Sequence, residues 1–123
     1  MELAPLVALL DEVESGRRAF RLNAEDATDP YAGCQLHVDL IRACYDSGLM
    51  DKVDPWGPEV EALAQATQQE LVDRVSEIPT AVLIGLVARF VRGDRFNAGL
   101  LAAAAESGLL SVLVRECSLR PED

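Results

Sequence analysis

Positive charge is scarce in this chain of 123 residues: 11 bases face 21 acids, for a formal net charge of −10. Lysine is nearly absent, with Lys52 alone beside ten arginines. Without clustered bases there is little to neutralise a phosphate backbone, so direct nucleic-acid binding is not expected. An anionic membrane surface is disfavoured for the same reason. Aromatic residues are also few, 5% against 50% hydrophobic overall, so the core must be aliphatic. Long apolar runs are missing too. The longest, Ala81 to Val91, is interrupted by Arg89 and is far too short for a membrane span.

Cysteine is sparse and odd in number: Cys34, Cys44 and Cys117. A secreted disulfide scaffold would use a denser, even set, so a reducing cytoplasm is expected. The opening Met1-Glu2-Leu3-Ala4-Pro5 has no basic stretch of the signal-peptide kind. The excess of Arg over Lys, with heavy use of Ala, Leu and Val, is the bias of a GC-rich bacterial gene. Also missing are a phosphate loop, a dinucleotide fingerprint, HExxH, a nucleophile elbow and a spaced pair of catalytic carboxylates. No cofactor is expected, and an enzyme is disfavoured.

What the sequence does hold is helical periodicity. The length predicts one domain, and the periodicity makes it all-α, with five or six short helices. Leu3, Leu6, Val7, Leu10 and Val13 form a first stripe within residues 1–16, with Pro5 in the first turn and Gly16 as a stop. Residues 17–33 are rich in turn formers and read as an irregular loop, with a possible short extended piece at 18–22. A helical core then spans 34–117, and 118–123 reads as a polar tail. In the second helix Cys34, His37, Val38, Leu40, Ile41, Cys44 and Tyr45 share one face, and Gly48 sits where a left-handed cap belongs. Asp54-Pro55-Trp56-Gly57-Pro58 is a loop that launches a third segment, whose Thr67 and Glu70 suggest a capping box and a break. Pro79 opens a helix apolar over more than half its circumference, which predicts a central, buried position. Leu40 to Met50 and Leu100 to Leu110 echo each other in pattern, as two helix ends of one type would.

Four groups of residues bear on chemistry. Cys34-x-x-His37 with Cys44 and Cys117 offers three thiols and an imidazole, but the Cys-x-x-Cys of structural zinc sites is missing and apolar residues share the face, so no metal is expected. A Cys34–His37 nucleophile pair would need a third, orienting group, and the sequence shows none. Arg92-Gly93-Asp94 spells an integrin-binding tripeptide, but its place between two helices reads as a helix stop followed by an N-cap. Arg89, Arg92, Asp94 and Arg95 give the stretch from Pro79 to Ala105 a local charge of +2. They either form an anion or nucleotide pocket at a helix junction or brace helices through carboxylates such as Asp46 or Glu106. The brace is preferred, with Phe96 expected to enter the core and Asp94 to cap the next helix.

One resemblance carries further. Arg92-x-Asp94-Arg95-Phe96-x-x-Gly99-x-Leu101, then Glu106-x-Gly108-x-Leu110, resembles a family of small bacterial proteins known only as domain of unknown function 6508. Tyr45-Asp46-Ser47-Gly48 and Asp54-Pro55-Trp56 are similar to its upstream turn and loop, so the likeness runs from Val38 onward. It implies a compact helical domain with no known activity. Where the family carries an acid and a His beside the glycine, this chain has Ala98 and Leu100, which argues against catalysis there. The expected function is a non-enzymatic protein-interaction module. The alternatives are an acidic mimic of nucleic acid and anion binding at the arginines.

Overall fold

The computed structural model describes residues 2–20, 34–52, 54–97 and 99–120. Among them lie seven α-helices and no strand: α1 Ala4–Glu14, α2 Gln35–Asp46, α3 Pro58–Ala64, α4 Gln68–Arg74, α5 Thr80–Gly93, α6 Leu100–Glu106 and α7 Leu109–Ser118. Two 3-10 turns, Leu49–Asp51 and Val75–Glu77, join them. The helix count exceeds the expected five or six because the third segment breaks. Thr67 stops it and accepts the Glu70 N–H at 3.2 Å, which starts α4 afresh. Of the possible extended piece at 18–22, residues 18–20 form no strand and residues 21 and 22 lie outside the described residues, as does most of the predicted loop.

α5 is the centre of the fold. Every residue from Val82 to Ala88 is buried, as are Val91 and Gly93. It packs on α7, α3, α6, α2 and the Leu49–Asp51 turn, while α1 closes over α7 and α2. Leu6, Leu10, Leu40, Leu83, Leu86, Leu101, Leu110 and Leu113 have almost no exposed surface. Each such side chain contributes about 1.5–3 kcal/mol relative to an exposed position. The apolar crevice between Leu3, Leu49, Ile84, Val87, Val114 and Cys117 has no room for a water molecule.

The sequence echo is two copies of one cap. Gly48 (φ 86°) and Gly108 (φ 87°) both take the left-handed conformation that side chains resist. In each copy the preceding serine works twice. Ser47 Oγ donates to the Cys44 carbonyl and accepts from the Leu49 N–H; Ser107 Oγ does the same with Ala104 and Leu109. The next leucine, Leu49 or Leu109, then folds into the core.

The α2 face differs from its expectation. The buried positions are Leu36, Leu40 and Cys44, whereas Val38 (42%) and Tyr45 (45%) are exposed. The predicted stripe holds for Cys34, Leu40 and Cys44 but omits Leu36 and takes in Val38 and Tyr45, which lie at its solvent-facing border. The predicted tail also differs. α7 runs to Ser118, and the Arg120 guanidinium donates to the Ile78 carbonyl at 2.5 Å, the Val75 carbonyl at 3.2 Å and Thr80 Oγ1 at 3.1 Å. Its partner on α7, Glu116, lies 3.0 Å away.

Candidate functional site

The polar edge of α5 and the turn that follows carry the residues singled out from the sequence. Arg89 leaves α5 toward α3. Its Nη1 lies 2.5 Å from Glu61 Oε2, and its guanidinium carbon sits 4.7 Å from the centre of the Trp56 ring. That geometry is a cation–π contact. The Trp56 loop is held by Asp54, whose Oδ1 accepts the Trp56 N–H at 2.9 Å, and by the buried Pro55. Trp56 itself remains 49% exposed.

Arg92, one turn further on, reaches the Leu49–Asp51 turn, where Nη2 donates to the Met50 carbonyl at 3.3 Å. It borders an open hollow of about 420 Å³ lined also by Met50, Asp51, Lys52, Asp54 and Pro55. Two carboxylates oppose two cations there, so the hollow has no net positive charge.

Asp94 ends α5 and joins three elements. Its Oδ1 accepts the backbone N–H groups of Gly99 (3.2 Å) and Leu101 (3.1 Å), and its Oδ2 lies 2.7 Å from Nε2 of His37 on α2. Asp94 therefore does cap the following helix, but from the end of the preceding one rather than from the N-cap position, which Gly99 holds. Gly93 allows the close approach: a Cβ there would meet Leu100 Cδ2 at 2.9 Å.

Arg95 and Phe96 depart from the expected brace. No hydrogen bond or ion pair of the Arg95 side chain is found among the described residues, and Phe96 is 87% exposed rather than in the core. The reason is the turn itself. The Phe96 and Asn97 N–H groups both return to the Gly93 carbonyl at 3.0 Å, which rolls these side chains outward. Asp46 and Glu106 bond neither arginine among the described residues. The structure thus sends Arg89, Arg92 and Arg95 to three different surroundings.

The cysteines have other surroundings. Cys34, Cys44 and Cys117 are buried and free. Burial pushes the Cys44 thiol up to about 12 and the Cys117 thiol up to about 11, the reverse of what a nucleophile needs. No cluster suited to a metal ion occurs among the described residues. Asp94 is the acid beside His37 that the sequence did not reveal, and its three hydrogen bonds are spent on joining α2, α5 and α6. Nothing local could have signalled a pair 57 positions apart. The Trp56–Arg89 stack was equally invisible, because loop and helix meet only in the fold.

No helix among the described residues is long and apolar enough to cross a membrane. No curated protein and no solved structure matches the chain. The model of a family of unknown function, DUF6508, matches residues 1–119, well beyond the stretch from Val38 that carries the visible motifs. With nearly its whole length matched, this helical chain belongs to the DUF6508 family.

Proposed function

We propose that the chain is a non-enzymatic protein-interaction module that contacts its partner through the turn between α5 and α6. The observation that carries this reading is Phe96, a large apolar side chain 87% exposed on a turn fixed by backbone and Asp94 hydrogen bonds. An anchor already held in place loses little freedom on binding, so more of its contact energy survives as affinity. Arg95 beside it supplies a guanidinium without a bond among the described residues, and Phe and Arg are both residue types enriched at interfaces.

The other readings have less support. The hollow at Arg92 balances its own charges, a poor start for an anion. Some surface carboxylates are already neutralised by arginines: Asp11 and Glu14 with Arg115, Asp39 with Arg18, Glu61 with Arg89 and Glu116 with Arg120. That weakens the case for mimicry of nucleic acid. Three free, buried thiols fit a reducing cytoplasm.

The test is a photoreactive phenylalanine analogue placed at position 96 in cells of the native host. A discrete protein adduct at position 96, missing when the analogue sits at the exposed Ser118, is the expected result. Equal labelling at both positions would remove the reading.

A further inference from the structure

We infer that the exposed surface of Trp56 seats an arginine-rich segment of a protein partner. The inference rests on the interaction reading but concerns a different surface from the Phe96 turn. Trp56 is the sole tryptophan of the chain, and it is 49% exposed on a loop pinned by Asp54 and by buried Pro55. One face of its indole already carries a guanidinium, that of Arg89, 4.7 Å from the ring centre. About half of the residue's surface stays open to solvent beside that guanidinium.

Two features select the occupant. The first is Glu61, which lies 2.5 Å from Arg89 and neutralises it, so a second cation on the ring is not repelled by the first. The second is the charge of the chain on either side of the loop. From Asp46 to Glu77 the sequence carries eight acids and two bases. Of these, Glu59 lies three residues after Trp56, is exposed, and makes no hydrogen bond or ion pair among the described residues. An exposed indole with an unpaired carboxylate three residues on favours a planar cation, and arginine stacks on aromatic faces where lysine offers only a point charge. A nucleic-acid base would stack on the same ring, but its phosphate would meet the acidic flank.

The test uses the full chain and acetylated nona-arginine, with Trp56 emission as the direct report. Saturable emission change is expected, with affinity falling as salt rises. Nona-lysine is expected to bind at least fivefold more weakly. With a fluorescent nona-arginine followed by anisotropy, Trp56→Leu should weaken binding about tenfold and Glu59→Gln about threefold. Trp56→Phe keeps a smaller ring and should fall between parent and Trp56→Leu. It replaces Trp56→Leu if that variant does not fold.

Equal affinity for the two peptides would overturn the proposal, since only general attraction would remain. So would parent-like binding by the Trp56 variants, or tighter binding of a single-stranded oligonucleotide than of nona-arginine. Phe96→Ala should leave nona-arginine binding unchanged. Loss of the position 96 adduct with intact peptide binding would therefore sink the Phe96 reading alone, and the converse result would sink the Trp56 site alone.

Discussion

Asp94 Oδ2 stands 2.7 Å from His37 Nε2, while the other oxygen of the same carboxylate holds the Gly99 and Leu101 N–H groups. A single acid thus fastens α2 to the point where α5 hands over to α6. Asp94→Ala removes all three hydrogen bonds and strands the backbone N–H of Leu101, a fully buried residue. We expect a loss of about 3 kcal/mol, since bonds to a charged group are worth roughly 1.5–3 kcal/mol each but do not add fully. Asp94→Asn keeps an oxygen for the two N–H groups and should lose about half as much. Urea unfolding with an unchanged slope measures both. Equal losses would show that charge, not the backbone cap, is what matters.

Arg120 fills a comparable role just past the C-terminal end of α7. Its guanidinium covers the carbonyls of Val75, Ser76 and Ile78 and holds Glu116. Arg120→Ala should cost about 2–4 kcal/mol, because carbonyls and a carboxylate lose their partner together. Arg120→Lys should recover little, as a point charge cannot match the forked donors. Thermal melting of the three proteins decides it; full recovery by lysine would mean that charge alone suffices.

The exposed turn should behave oppositely. Arg95→Ala and Phe96→Ala should melt within about 0.5 kcal/mol of the parent, as exposed substitutions without partners do. Arg89→Ala should lose about 1 kcal/mol through its Glu61 pair and the Trp56 contact. Melting with and without phosphate or ATP tests the anion alternative. Because Asp51 and Asp54 offset Arg92 and Lys52, no stabilisation is expected. A rise that disappears in Arg92→Ala would reinstate that alternative.

Stability should fall at both extremes of pH. Hydrogen bonds from Gln35 and then Arg18 hold the Asp39 carboxyl below its ordinary 3.8. Its contribution is therefore present above that value and lost as pH drops through the folded-state value. The Cys44 thiol moves the other way, from 9.0 to about 12, because burial penalises the thiolate. The folded state keeps that proton while the unfolded chain releases it. Stability should decline from about pH 9 upward, by roughly 1.4 kcal/mol per pH unit for each such thiol. Cys44→Ala should flatten the alkaline decline. An unchanged alkaline limb would assign it to other groups.

Whatever depends on neighbours along the chain was legible from residues alone. The apolar arc of α5 announced a central helix, Thr67 with Glu70 announced a break, and Ser47-Gly48-Leu49 with Ser107-Gly108-Leu109 announced matching caps. These are contests between a residue and its own backbone, settled within one or two turns. Side-chain direction at a junction is different. Phe96 reads as core by composition, yet two N–H groups returning to the Gly93 carbonyl turn it outward. Arg120 reads as tail, yet carbonyls more than forty residues away claim it. His37 with Asp94, and Trp56 with Arg89, meet only because α2 and the Trp56 loop pack beside α5. Local sequence determined the helices, their caps and the acidic surface. Tertiary packing decided which polar groups are consumed in holding helices together, and which side chains, like Phe96 and Trp56, stay exposed.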